Sequence, residues 1–319
     1  MQRSKLAEAA AVAVRQCLAV REGETVLVVC DEPCREIGQA LWLESVAAGA
    51  DAQIMQILPR TENGQEPPPA VAAAMLHSDV VFAPTSMSLS HTDARRAATD
   101  AGARIATLPG IMPETMERAL LVDHDEIRAL TARVADRIRG GSTARVTTPA
   151  GTDISFSIAG RAVDEDNGLV HEAGMTNLPA GEAYLAPVEG SGNGVIMVDG
   201  SMGDSGVIDG AIRITVEDGF ATDISGHPYA PTLARAMDEA GPEARNLAEL
   251  GIGTNPAATL CGNILEDEKI LGTVHLAFGD NKSMGGNVSA PYHQDGILLR
   301  PSLWVDGEIV MKDGELLLG

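Results

Sequence analysis

The sequence predicts an α/β protein in two parts: a mostly parallel, open, Rossmann-like α/β sheet domain over residues 1–140, followed by an α+β domain over residues 141–319. Short apolar runs alternate with helical segments in the first part, the signature of repeated β-helix-β units. A strong helix then runs into Gly140-Gly-Ser-Thr143, which marks a boundary. Beyond it, strands follow one another through tight turns.

In chain order, residues 4–20 form an Ala-rich helical pattern, and Glu24-Thr-Val-Leu-Val-Val-Cys30 is a continuous apolar run of the kind buried on both faces of a parallel sheet. Residues 36–48 are helical and stop at Gly49, residues 52–57 are strand-like, and residues 69–77 make a short helix. Residues 79–83 and 104–108 are further strands, separated by a helix over 92–101 that closes at Gly102. Residues 123–139 repeat apolar side chains at Ile127, Leu130, Val134 and Ile138, one face of a helix. In the second part strands are expected over 145–148, 154–158, 195–199, 207–216 and 220–224. The last two join at Glu217-Asp-Gly219, a hairpin signal. Residues 231–240 and 263–271 read as helices, and 303–316 as a terminal hairpin.

Composition narrows the function. A 45% hydrophobic, 21% charged chain without an apolar run near the roughly 18 residues of a membrane span is not expected in a membrane. The N-terminus enters a helix without a small-residue cleavage site, so the expected location is cytoplasmic. A net charge of −22 repels phosphate backbones and argues against nucleic acid as a partner. Cys17, Cys30, Cys34 and Cys261 are too few for a disulfide framework, and reduced thiols are expected. Cys30 and Cys34 read as a strand-end and a helix-cap residue. No G-x-G-x-x-G or Walker loop follows the first strand, where the turn is Asp31-Glu-Pro-Cys-Arg35, so no dinucleotide site is expected. Gly190-Ser-Gly-Asn-Gly194 opens onto a strand and carries no lysine, which suits a flexible connection.

Chemistry concentrates near the C-terminus. In Tyr292-His293-Gln294-Asp295-Gly296 an imidazole and a carboxylate stand two residues apart, and such positions share one face of an extended segment. That is a metal-ligand spacing. Three upstream residues complete the set: His275 in an apolar strand, Glu249 and Glu182. Each alone has a plain structural explanation, but together they read as one metal site formed where loops or strand ends converge. Three carboxylates and two imidazoles suit two first-row divalent ions such as Zn²⁺, Co²⁺ or Mn²⁺, with a carboxylate bridging. Such a pair activates water for hydrolysis.

The phrases Asn177-Leu-Pro-Ala-Gly-Glu-Ala-Tyr-Leu-Ala-Pro187, Glu249-Leu-Gly-Ile-Gly-Thr-Asn-Pro256, Leu265-Glu-Asp-Glu-Lys-Ile-Leu-Gly-Thr-Val-His-Leu-Ala-Phe-Gly279 and His293-Gln-Asp295 resemble the thermophilic-type metallo-aminopeptidases, the aminopeptidase T group. The resemblance covers most of residues 144–319 in the family's order. It implies that Glu182, Glu249, His275, His293 and Asp295 hold two ions, that a small peptide or amide is hydrolysed, and that the chain is a homodimer. Glu182 or Glu249 is the expected proton shuttle. That family places a tyrosine several residues beyond the first histidine, where this sequence has Lys282, and Tyr292 is the candidate to replace it. His171 and Tyr184, flanking the first carboxylate motif, are the other substrate-pocket candidates. A shorter offshoot of the same superfamily resembles 2,5-dihydroxypyridine dioxygenases, which bind one Fe(II) through two histidines and an aspartate. His275, His293 and Asp295 fit that alternative.

Overall fold

The computed structural model describes residues 3–318. Two compact units are present: Met1–Arg128 with Asp166–Ala180, and Ala129–Glu165 with Gly181–Gly319. The division expected after residue 140 thus falls earlier, inside a helix, and the first unit takes back a later segment. The cause is burial. Val134, Ala135 and Ile138 of that helix lie in the core of the second unit, whereas Gly174–Asn177 hydrogen-bonds into the sheet of the first.

The elements run α1 (Lys5–Val12), β1 (Thr25–Cys30), α2 (Arg35–Ala47), β2 (Asp51–Gln56), α3 (Pro69–Leu76), β3 (Val80–Ala83), α4 (Asp93–Asp100), β4 (Arg104–Thr107), α5 (Pro113–Ala119) and α6 (His124–Ile138). Then come β5 (Thr143–Thr147), β6 (Asp153–Ser157), β7 (Asp164–Asp166) and β8 (Gly174–Asn177). The second unit continues with β9 (Glu182–Leu185), β10 (Asn193–Val198), β11 (Ile212–Glu217), β12 (Phe220–Ser225), α7 (Ala230–Ala240), β13 (Leu247–Gly253), α8 (Ile264–Asp267) and β14 (Val274–Gly279). It ends in β15 (His293–Leu298), β16 (Ser302–Val305), β17 (Glu308–Lys312) and β18 (Glu315–Leu316).

Several bounds differ from expectation. The first helix passes into a π-helical turn at Ala13–Cys17. The strand expected over 207–216 begins only at Ile212, and the helix expected over 263–271 is confined to α8.

The first unit is an α/β layer structure whose sheet has the order β2-β1-β3-β4-β8, with all neighbouring strands parallel. Buried runs such as Val26–Cys30 and Val80–Ala83 supply its centre. Its cysteines follow the same logic: Cys30 ends β1, Cys34 caps α2, and all four thiols of the chain are free. No helix among the described residues is long and apolar enough to cross a membrane.

The second unit contains an eight-stranded sheet, β12-β11-β10-β6-β5-β16-β17-β18, and a five-stranded sheet, β15-β14-β13-β9-β7. One apolar core joins them, with Val146, Ile154, Ile196 and Ile214 from the larger sheet and Ala183, Leu250, Leu276, Phe278 and Leu298 from the smaller. Side chains alternate along a strand. The positions between those core residues, Glu182, Glu249, His275, His293 and Asp295, therefore project from the other face of the smaller sheet.

Candidate metal centre

The five donors sit on regular strands, and two of them are at the strand ends that the nearby glycines suggested: Glu182 opens β9 and His293 opens β15, while Glu249 lies within β13, His275 within β14 and Asp295 within β15. The sheet register explains why glycine and alanine surround them. Glu182 stands opposite Gly253, Glu249 opposite Ala277, His275 opposite Gly251, Asp295 opposite Ala277 and His293 opposite Gly279. Small cross-strand neighbours leave room for the long polar side chains on that face. At Gly251 the fit is tightest, since a Cβ there would lie 1.9 Å from Nε2 of His275.

Glu249 is the hub. Its Oε1 is 3.3 Å from Nε2 of His275, and its Oε2 is 3.1 Å from Nε2 of His293. Glu182 Oε2 lies 3.3 Å from His275 Nε2, and Asp295 Oδ1 lies 3.6 Å from His293 Nε2. The donors thereby form two overlapping groups, Glu182–Glu249–His275 and Glu249–His293–Asp295, each with its donor atoms within 4.8 Å of one another. Nδ1 of His293 donates to the carbonyl oxygen of Asp280 over 2.8 Å, which directs Nε2 at the carboxylates as the nitrogen a metal would use once its proton is lost. Among the described residues, Nδ1 of His275 is buried with no hydrogen-bond partner.

Two residues that sequence reasoning passed over complete the site. Lys269 is fully buried, and its ammonium is 2.6 Å from both Glu182 Oε1 and Glu268 Oε1. The available signal was the charged run Glu266-Asp267-Glu268-Lys269 just ahead of the His275 strand. All four residues are buried, and buried charge demands partners.

The electrostatics are those of a centre holding protons where a metal would bind. Burial pushes the Glu249 carboxyl up, but hydrogen bonds from His275 and His293 outweigh it and hold the pKa well below the usual range. Burial opposes charge on His275, yet Glu249, Glu182 and Asp295 raise its pKa to about 9. His293 is also raised, against burial, by Asp295 and Glu249. Burial lifts Glu268 to about 8 despite the neighbouring Lys269.

A ligating imidazole must be neutral, so divalent-metal binding near pH 7 is expected to release about two protons per ion. Affinity should then climb as pH rises toward 9, the value to which His275 is raised. Calorimetric titration in buffers of different ionisation enthalpy measures the released protons. A proton count near zero would contradict this electrostatic account.

The loop between β14 and β15 carries the Asp280 carbonyl and is fastened from outside by Glu189. That carboxylate accepts from Asn281 Nδ2 at 2.9 Å and from the Asn287 backbone at 2.7 Å, and pairs with Arg161. Burial works against the Glu189 charge, but these donors hold its pKa down to about 2. A depressed carboxylate stabilises the fold above its unfolded pKa, and that stabilisation fades as pH falls toward 2. Glu189→Gln is expected to cost about 1–2 kcal/mol at pH 7. Urea unfolding at pH 7 and pH 3 should show the difference shrinking in acid.

The substrate-pocket candidates divide. Tyr184 is half-buried on β9, opposite Gly251 and two residues from Glu182, on the donor-bearing face. Tyr292 packs against the apolar core, and its hydroxyl donates to Gln294. His171 belongs to the first unit, where it is exposed with Nε2 2.8 Å from the Gln16 carbonyl oxygen.

A family model described as 2,5-dihydroxypyridine 5,6-dioxygenase (NicX) matches residues 5–318. Among solved structures, 2,5-dihydroxypyridine dioxygenase from Pseudomonas putida KT2440 superposes with a TM-score of 0.83 at 20% identity, covering 99% of this chain and 98% of that one. Wild-type AmpT from Thermus thermophilus superposes with a TM-score of 0.73 at 19% identity, covering 98% of this chain and 99% of that one. At such identities both likenesses speak to fold alone. No curated protein matches the sequence.

Proposed function

Because the chain belongs to the 2,5-dihydroxypyridine 5,6-dioxygenase family, we propose that it is a ring-cleaving dioxygenase. In this reading it uses one non-haem Fe(II), held by His275, His293 and Asp295, and acts on a dihydroxylated pyridine. The family match over residues 5–318 carries the reading. The donor chemistry fits it: two imidazoles and a carboxylate are the set that such iron takes. The orienting bond from His293 to Asp280 and the space over Gly251 for the His275 ring add support. When bound, the iron would supply Lewis acidity and a redox-active centre through which electrons pass from the ring to dioxygen.

The chain's own residues do the rest. Glu249 lies 3.3 and 3.1 Å from the two imidazoles, where it can accept the proton of a substrate hydroxyl. The two imidazolium charges hold its pKa down, and a divalent ion that displaced their protons would bring the same positive charge, so Glu249 would stay an ionised acceptor beside the substrate. Glu182 is paired through Oε1 with the Lys269 ammonium. The hydrolase expected from the sequence drew its strength from the presence of Glu182 and Glu249, and both have structural partners without a second ion.

A two-metal hydrolase is the second reading, favoured by one observation: Glu249 is shared between the two donor groups, as a bridging carboxylate would be. The discriminating experiment assays iron-loaded protein on 2,5-dihydroxypyridine with and without oxygen, and Zn²⁺- or Mn²⁺-loaded protein on aminoacyl-anilides. Loss of the ring absorbance in air alone supports the dioxygenase. Anilide release without dihydroxypyridine turnover would replace it with the hydrolase.

A further inference from the structure

We propose that Lys269 is a built-in cation that takes the place of a second metal ion on the Glu182 side of the centre, and so limits the chain to one ion. The inference rests on the single-iron reading and names the residue that enforces it. The Glu182–Glu249–His275 group has the donors and spacing of an ion site, and a second ion there would take His275 and leave the first to Glu249, His293 and Asp295. Lys269 reaches into that group from behind, its Nζ 2.6 Å from Glu182 Oε1, while Glu182 Oε2 faces His275 at 3.3 Å.

The side chain is anchored in position. Lys269 follows α8, its backbone N–H donates to the Glu266 carbonyl at 3.0 Å, and its carbonyl accepts from Asn255 at 2.8 Å, just beyond β13. Gly253, the cross-strand partner of Glu182, makes room for this approach, since a Cβ there would lie 2.1 Å from the Ile270 carbonyl oxygen.

An ion seated in the Glu182 group would share one carboxylate with an ammonium that is itself fully buried. Two positive charges on one carboxylate in a site with little water repel strongly, because neither solvent nor salt screens them. The Glu249–His293–Asp295 group, with His275 beside it, is then the place left for a metal.

The test counts ions. Metal-free protein is titrated with Mn²⁺ and read by native mass spectrometry and equilibrium dialysis. Wild type and Lys269→Arg should each bind about one ion per chain, and Lys269→Met about two. Adding Glu182→Gln to Lys269→Met should bring the count back to about one. Should Lys269→Met fail to fold, the Lys269→Met/Glu268→Gln variant, which removes one of the two carboxylates left facing each other, carries the same expectation. A folded variant that still binds a single ion overturns the role of Lys269 and leaves the single-iron reading standing. Wild type that binds two ions overturns both.

Discussion

Gly251→Ala should empty the metal centre while the fold survives. The backbone at Gly251 is not in the left-handed region that excludes other residues, so alanine is conformationally acceptable there. The obstacle is the His275 ring, whose Nε2 would lie 1.9 Å from the new Cβ. The strand cannot move to relieve this, because Leu250 and Ile252 on either side are fully buried in the core between the sheets. The ring must leave its place and take its nitrogen out of reach of Glu249 and Glu182. We expect metal affinity to fall by about 100-fold, the upper end of what losing an orienting partner costs. The cost to stability should be about 1–3 kcal/mol, as for overpacking. Metal content after dialysis and a urea melt report the two separately. Full metal content in a stable Gly251→Ala protein would mean that His275 is not a ligand.

His293→Ala should be the most damaging change to activity. It removes a proposed ligand, the partner of Glu249 Oε2 and the donor to the Asp280 carbonyl together. Iron content should drop to background, and ring cleavage should fall by about 100-fold or more. Far-ultraviolet dichroism should be unchanged, because the His293 side chain projects from the face away from the apolar core. Retained iron and turnover in this variant would move the centre elsewhere.

Much of this architecture is written in local patterns. The apolar runs of β1, β3 and β4 announce a parallel sheet, and the His-x-Asp spacing announces one edge of the donor face. Other parts depend on contacts that no local pattern shows. Gly-Met-Thr-Asn of β8 has no apolar run, and it becomes a strand because β4 offers an open edge. The glycines around Glu249 suggested a loop or a strand end, yet they are buried residues of β13 where the His275 ring and the Ile270 carbonyl come close. In the sequence Lys269 is one charge in the run Glu266-Asp267-Glu268-Lys269. Only the fold reveals that its ammonium ends on Glu182. The sequence also weighted Glu182 and Glu249 toward hydrolysis, because it shows which acids are present and not which cations they meet.

The central claim is that the chain inserts both atoms of dioxygen into an aromatic ring at a single iron. Turnover of 2,5-dihydroxypyridine under ¹⁸O₂, followed by mass spectrometry of the ring-opened product, tests it most directly. The account predicts that both oxygen atoms of the labelled gas appear in the product and that unlabelled water contributes neither at the moment of cleavage. An unlabelled product, or turnover that proceeds equally well without oxygen, would contradict it.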